Sequence, residues 1–167
     1  MLPASAPATA APTTGARLLL AKDLDRVIAI DRANAGRVRR HFFEKRFAAA
    51  AAHPEDFIHL GMDDDGALCG FAFARLLRGE FGRKRTTAVL DAIGVAAESR
   101  QRGIGRGLLR ELVKRLRDLG VRTLHSQADW SDTELTRFLA AAGFKLAPRL
   151  ALERSVTVPL VERSDDV

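Results

Sequence analysis

The sequence predicts an α+β domain of three layers, in which a mixed, mainly antiparallel sheet lies between helices. Two patterns predict it: apolar segments with strand-like alternation around a tight turn, and later a leucine stripe with helical spacing. The size agrees, because 167 residues with 47% apolar and 29% charged positions are typical of one globular domain. We place this domain at residues 17–156, after an Ala/Pro/Thr-rich tail at 1–16 and before a C-terminal tail at 157–167.

In the first half of the domain the sequence predicts a strand, two helices and three antiparallel strands. A short apolar run at 17–21 predicts the first strand, and Asp23 is a good N-cap for a helix that reaches Ile30. A second helix is predicted at 37–52, where phenylalanines recur at helical spacing and Pro54 follows. The antiparallel strands are predicted at 57–62, 67–77 and 87–95, with a tight turn at 63–66.

In the second half of the domain the sequence predicts a helix, a strand, a helix and one or two final strands. An amphipathic helix begins near Gly103 and ends at Gly120. Its apolar stripe consists of Leu108, Leu109, Leu112, Leu116 and Leu119. The later elements are predicted as a strand at 121–128, a helix at 132–142 and one or two strands within 144–156.

The connection between the strand that ends at Val95 and this helix has the features of an anion-binding site. Glycines at 103, 105 and 107 let the backbone approach a ligand closely, and the first N–H groups of a helix favour an anion. Each glycine costs about 1 kcal/mol relative to alanine in a helix, so a bound pyrophosphate explains them better than a turn that merely starts a helix. Positive charge comes from Arg100, Arg102 and Arg106.

Two other phosphate-binding loops do not fit this segment. A Walker A loop requires Gly-Lys followed by Ser or Thr, which the sequence lacks. The dinucleotide fingerprint is G-x-G-x-x-G, whereas residues 103–107 read G-x-G-x-G.

Residues 100–105 read Arg-Gln-Arg-Gly-Ile-Gly and satisfy the pattern Gln/Arg-x-x-Gly-x-Gly/Ala after a strand. In this motif, in the order of its elements and in the pair Gly143-Phe144, the chain resembles the GCN5-related N-acetyltransferase (GNAT) family. The resemblance implies a GNAT-like α/β/α fold with acetyl-CoA as co-substrate. It further implies direct attack on the thioester by a primary amine of a small molecule or protein.

The resemblance also implies which residues hold acetyl-CoA. The pantetheine arm pairs with Ile93, Gly94 and Val95, and the Val95 amide faces the thioester carbonyl. Such a donor is worth about 3 kcal/mol when it stabilises the negative charge developing on that oxygen. The residues at the pyrophosphate are then Arg100, Gln101, Arg102, Gly103, Ile104, Gly105 and Arg106.

The sequence departs from the family at two positions of the last helix. Relatives often carry Asn there and, seven residues later, a Tyr that acts as general acid; this sequence has Asp132 and Leu139 and contains no tyrosine. A thiol with a pKa of about 8.5 leaves readily near neutral pH, so such an acid is worth about 1 to 2 kcal/mol. Its absence does not forbid catalysis.

Catalysis also needs a base, because an amine with the pKa of lysine, about 10.4, is neutral in roughly one molecule per thousand at neutral pH. Asp91 is the first candidate, since strand alternation puts it on one face with Ile93 and Val95. The structural alternative is a strand carboxylate satisfied by arginine or by backbone N–H groups. Asp129 is the second candidate.

Other residues have weaker functional interpretations. Gln127 stands where relatives that acetylate protein N-terminal amines place a glutamate base, and Trp130 could wall an acceptor pocket. His125 and Cys69 are better explained as structural residues of strands. The basic and aromatic run at 37–46 either binds an acidic substrate or is a solvated helix face with its phenylalanines packed inward, and we favour the second.

The composition limits which binding partners and which cellular location we expect. The net charge of +6 suits an anionic cofactor, nucleic acid or an acidic protein, but no nucleic-acid motif accompanies it, so we do not expect nucleic acid as a partner. One cysteine excludes an internal disulfide and a cysteine-rich metal site, and no metal is implied. No apolar run reaches about 20 residues, and residues 1–16 lack a secretory-signal pattern, so we expect a cytoplasmic protein without membrane contact.

Two rivals to the enzyme remain at this point. The first is a non-catalytic acyl-CoA-binding regulatory module, favoured by the missing tyrosine. The second is a basic nucleic-acid or protein-binding module in which the glycine turn is incidental. The oligomeric state, a homodimer included, stays open.

Overall fold

The structure is a computed structural model that describes residues 15–78, 86–148 and 151–157. Its strands and helices are β1 Ala16–Leu18, α1 Leu24–Ala35, α2 Arg40–Ala52, β2 Phe57–Asp64, β3 Ala67–Leu77, β4 Thr87–Val95, α3 Ile104–Asp118, β5 Leu124–Ser126 and α4 Thr133–Ala141. The sheet order is β1-β2-β3-β4-β5; the first four strands pair antiparallel and β5 joins β4 in parallel. The predicted α+β class with a mixed, mainly antiparallel sheet is confirmed.

Turn chemistry explains the elements that the sequence predicts best. Between β2 and β3, Asp65 and Gly66 both have positive φ, 49° and 79°, as tight hairpin turns require. β3 and β4 have the predicted bounds. At Gly36 the chain takes up the left-handed conformation, with φ 65°, and this ends α1 five residues later than predicted. α2 accordingly begins at Arg40 and not at residue 37.

The sheet carries a different layer on each face. On the face covered by α3, called the α3 face, leucines of α3 pack against aliphatic strand residues such as Leu60 and Leu90. On the opposite face, called the α1/α2 face, Phe43 packs edge to face on Phe71 and Phe73, with ring centroids 5.6 and 5.3 Å away. Helices therefore cover both sides of the sheet, which is the predicted three-layer arrangement.

A β-bulge in β4 changes which of its residues share a face. The β3–β4 register shifts between Phe73 and Ala74, and Asp91 is the residue of β4 left without a partner. Beyond the bulge, Ile93 and Val95 pack against the α3-face cluster, whereas Asp91 contacts arginines of α2 and β3. The predicted shared face of Asp91, Ile93 and Val95 is therefore wrong, because the extra residue reverses the alternation.

The described residues that follow α4 also differ from the prediction. Residues 144–148 and 151–157 contain no strand, so the one or two final strands predicted there are wrong. Leu146, Leu152 and Val156 are almost fully exposed. Apolar alternation specifies a strand only where a sheet packs against it, and these side chains have no such neighbour.

Two smaller points complete the fold. β5 occupies only Leu124–Ser126 of the predicted strand at 121–128. Most of the two predicted tails, residues 1–14 and 158–167, lies outside the described part of the chain. None of the helices in the described part combines the length and apolar character needed to cross a membrane.

Candidate functional site

The N-terminus of α3 faces the end of β4 across a short connection. A single 3-10 turn, Ala97–Ser99, follows Val95, and Gly103 then caps the helix with φ 80°. The first intrahelical bond runs from the Gly107 N–H to the Gly103 carbonyl at 2.9 Å. The N–H groups of residues 104–106 consequently lack an intrahelical acceptor, and together with the helix dipole they favour an anion.

The three glycines of this connection have different surroundings. A Cβ at Gly103 would meet nothing within 4 Å, whereas one at Gly105 would lie 3.1 Å from the Phe138 ring and one at Gly107 2.9 Å from Met62 Cε. Gly105 and Gly107 thus allow α3 to approach α4 and β2 closely. Packing therefore accounts for Gly105 and Gly107 without a ligand, and of the three glycines only Gly103 borders open space.

The three arginines predicted at the pyrophosphate are not equivalent. Arg102 donates two hydrogen bonds to the Asp64 carboxylate at the end of β2. Arg100 donates to Asn34 Oδ1 at 2.7 Å and pairs with Glu134 at 3.4 Å. Among the described residues, the exposed Arg106 guanidinium makes no hydrogen bond or ion pair. Arg106 is thus the charge most readily available to an anion.

The last part of β4 is open on the side of β5. The parallel pairing joins residues 88–90 of β4 to residues 124–126 of β5 and does not extend to Val95. Backbone groups along this part of β4 can pair with amides of a ligand instead. At its end the Val95 carbonyl accepts a hydrogen bond from Asn34 Nδ2 at 3.1 Å.

Asp91 lies inside an ion-pair cluster on the α1/α2 face. Arg46 Nη2 of α2 is 3.0 Å from one carboxylate oxygen and Arg75 Nε of β3 is 3.1 Å from the other. The Asp91 side chain is 9% exposed. This is the structural alternative that the sequence left open; the catalytic role itself stays a prediction.

A buried histidine borders the same cluster. The His59 ring is 6% exposed and lies 4.1 Å from the Phe73 ring, and Nε2 has no hydrogen-bond partner. Burial, followed by the positive charge of Arg46, lowers the pKa of His59 to about 4. The buried Nε of Arg46 is also without a partner. The α1/α2 face therefore contains two buried polar atoms, one on His59 and one on Arg46, without a hydrogen-bond partner.

Comparison with known proteins identifies the family. Residues 23–144 match the model of the family described as the Acetyltransferase (GNAT) family, which is well over half of the chain. The chain belongs to the GNAT family. This confirms the resemblance found in the sequence and supports acetyl transfer as its general activity. No curated protein matches the chain.

Solved structures share the GNAT fold at low sequence identity. A transcriptional regulator from Bacillus halodurans has a TM-score of 0.72 at 15% identity, covering 85% of this chain and 99% of the other. The aminoglycoside N-acetyltransferase AAC(6')-Iy in complex with CoA has a TM-score of 0.70 at 17% identity, covering 89% and 98%. Glucosamine-6-phosphate N-acetyltransferase from Arabidopsis thaliana has a TM-score of 0.64 at 14% identity, covering 86% and 99%.

The second predicted base of this GNAT protein lies in the loop after β5. The Asp129 carboxylate accepts hydrogen bonds from the Ser131 hydroxyl and amide at 2.5 and 2.9 Å, and these lower the pKa of Asp129. Both groups are exposed. Trp130, predicted to wall an acceptor pocket, is 93% exposed and does not line one formed by the described residues.

The other residues singled out from the sequence have structural roles. Asp132 caps α4 by accepting from the Leu135 amide at 3.0 Å, and Leu139 is buried in the α3-face cluster. Cys69 is a buried core residue, as predicted; its Sγ donates to a backbone carbonyl, and burial raises its pKa. Within the described residues no group of three or more His, Cys, Asp or Glu side chains could hold a metal ion.

The basic run in α2 is largely neutralised. Arg39 pairs with the buried Asp31, and Arg40 pairs with Asp25 at 3.0 Å. Phe43 of the same run is fully buried. These contacts support the interpretation of the run as a helix with paired charges and inward phenylalanines.

Sequence reasoning missed the residue that links α1 to the site. Asn34 contacts both Val95 and Arg100, which follow it by 61 and 66 positions. A signal was present, because Arg26, Ile30 and Asn34 are spaced four apart and share one helix face. Polar residues on a face that also contains a buried isoleucine indicate a specific partner.

Proposed function

We propose that this GNAT protein is an N-acetyltransferase that uses acetyl-CoA to acetylate a primary amine of a small molecule or protein by direct attack on the thioester. The observation that carries the proposal is the anion-binding N-terminus of α3 beside the open end of β4. An aminoglycoside N-acetyltransferase of the same fold has been solved with CoA, which supports CoA as the kind of ligand.

The residues at this position fit acetyl-CoA. Open space borders Gly103, and the free N–H groups of residues 104–106 and the Arg106 guanidinium are suited to a pyrophosphate. Backbone groups of Ile93, which point away from β3, are suited to a pantetheine amide, since β5 does not pair there; those of Gly94 face Phe71 of β3. Gln101, with φ 61°, and Arg102 shape the loop, the latter through its pair with Asp64.

Acetyl-CoA supplies an activated acetyl group as a thioester. The chain contributes binding, orientation and the Val95 N–H, a donor for the negative charge that develops on the carbonyl oxygen. The acceptor amine must lose a proton. Asp91 and Asp129 remain the candidates for receiving it, although arginines hold both oxygens of Asp91 and hydrogen bonds lower the pKa of Asp129. The hydrogen bonds from Ser131 disfavour protonation of the Asp129 carboxylate.

The test is release of free CoA thiol from acetyl-CoA in the presence of a panel of amines. The panel contains aminoglycosides, amino-sugar phosphates, amino acids, polyamines and peptides, with a no-acceptor control. Acceptor-dependent release above the control is the expected result. Calorimetry with acetyl-CoA is run alongside, because binding without turnover on any acceptor would favour the non-catalytic acyl-CoA-binding module instead.

A further inference from the structure

A single side chain connects the cofactor loop to the helix pair on the other face of the sheet. Asn34, in the last turn of α1, donates from Nδ2 to the Val95 carbonyl at 3.1 Å. Its Oδ1 accepts from Arg100 Nη2 at 2.7 Å. The two halves of one amide are thus engaged by the strand end proposed to hold the thioester and by an arginine of the cofactor motif.

Close packing fixes the helix that carries this amide, which is itself exposed. A Cβ at Gly94 would lie 3.2 Å from Asn34 Nδ2 and 2.7 Å from the Phe71 ring, so α1 approaches β4 at a distance that only glycine permits. One turn and two turns earlier on the same helix face, Ile30 is buried and Arg26 binds the Leu68 carbonyl at 3.0 Å. The backbone position of Asn34 relative to Val95 is therefore set by the core.

The partner of Oδ1, in contrast, is free to move. Arg100 is exposed, and its second contact, with Glu134 of α4, is 3.4 Å long with Glu134 82% exposed. Exposed pairs of this kind contribute little to stability. A pyrophosphate at the N-terminus of α3 offers the same guanidinium a stronger, charge-assisted partner.

We propose that Asn34 couples the two substrates of the acetyl transfer. In the free protein Arg100 occupies Asn34 Oδ1; when Arg100 turns to the phosphates, that oxygen becomes available beside Val95 to accept a hydrogen bond from the acceptor amine. Nδ2 keeps its bond to the Val95 carbonyl throughout. The inference rests on the proposed function, and it makes Asn34 an acceptor-positioning residue whose availability depends on the cofactor.

Two substitutions of Asn34 with different expected consequences test whether this residue couples acetyl-CoA binding to acceptor binding. Asn34→Asp turns the Arg100 contact into an ion pair, and we expect it to weaken acetyl-CoA binding roughly tenfold, less at high salt. Asn34→Ala releases Arg100, and we expect it to leave acetyl-CoA affinity unchanged within about threefold while lowering kcat/KM for the acceptor at least tenfold, mainly through KM. Arg32→Ala, in the same turn of α1, is the matched control and should change neither quantity.

The outcomes separate this inference from the function on which it rests. Equal loss of acetyl-CoA affinity in both variants, with lowered melting temperatures, would mean that Asn34 only supports the fold, and it would overturn the coupling while leaving the enzyme intact. Absence of acetyl-CoA binding by the wild-type chain would overturn both. If the wild type binds acetyl-CoA but no acceptor is found, Asn34→Asp made in an Arg100→Ala background decides: loss of the tenfold effect means that Asn34 acts through Arg100, and an unchanged effect, which the added charge alone would give, overturns the coupling.

Discussion

The two faces of the sheet are built in different ways. The α3 face is aliphatic, its helix contacts the neighbouring elements through Gly105 and Gly107, and the groups without a partner at the start of that helix are backbone N–H groups. The α1/α2 face is aromatic and contains His59, Arg46 and Asp91, whose polar atoms are partly or wholly buried. Backbone donors depend little on side-chain identity, whereas the ion pairs of the α1/α2 face depend on each of the residues that form them.

The largest effect is expected from Asp91 on the α1/α2 face. Asp91→Asn should lower the free energy of unfolding by about 3 kcal/mol, because Arg46 and Arg75 would then lie next to each other without a counter-charge. Urea unfolding at pH 7 measures this difference in the free energy of unfolding. Asp129→Asn, on the exposed loop, is the control and should change stability by less than about 0.5 kcal/mol.

The same variant separates an ion-pair role from a catalytic one. If Asp91 only joins α2 to the sheet through its ion pairs, the folded Asp91→Asn protein keeps the acidic limb of its kcat/KM pH profile. Unchanged stability combined with loss of that limb would show that Asp91 is the general base and that the ion pairs are secondary.

The second effect concerns the α3 face. Gly103→Asp should weaken acetyl-CoA binding on the order of 100-fold, since a carboxylate at the helix N-terminus competes with the pyrophosphate for the same N–H groups. Gly103→Asn is the matched control: it has the same size, tolerates a positive φ and carries no charge. Calorimetry on both variants decides the matter, and equal affinities would remove this helix end from the cofactor site.

The sequence predicts the α3 face better than the α1/α2 face for a physical reason. The leucine stripe of α3, the turn at Asp65-Gly66 and the glycine cluster are local patterns, and each specifies its element without distant partners. The bulge at Asp91 has no local signature, yet it decides whether that carboxylate lies on the α3 face with Ile93 or on the α1/α2 face with Arg46. Likewise the alternation after Phe144 predicts strands, but pairing partners decide whether strands form.

The third effect is a pH dependence that arises on the α1/α2 face. His59 has a pKa of about 4 in the folded chain against an ordinary value of 6.5, so below pH 6.5 the unfolded chain binds a proton that the native state does not bind. Stability is thus lost as pH falls from 6.5 towards 4, amounting to about 2 kcal/mol at pH 5. His59→Phe should remove most of that loss, whereas the exposed His41→Gln should not. Equal losses in all three proteins between pH 8 and 5 would contradict the burial argument.

The smallest effect tests whether the α3-face glycines serve packing or the ligand. Gly107→Ala adds a methyl group 2.9 Å from Met62 Cε, the flexible end of a side chain, while alanine favours the helix by about 1 kcal/mol. Gly105→Ala instead meets the rigid Phe138 ring at 3.1 Å. We expect Gly107→Ala to change the free energy of unfolding by less than about 1 kcal/mol, and Gly105→Ala to be the less stable variant.

Both variants should bind acetyl-CoA within about threefold of the wild type, because neither Cβ points into the open space beside Gly103. A large loss of affinity in Gly107→Ala, at unchanged stability, would mean that the ligand and not β2 requires that glycine.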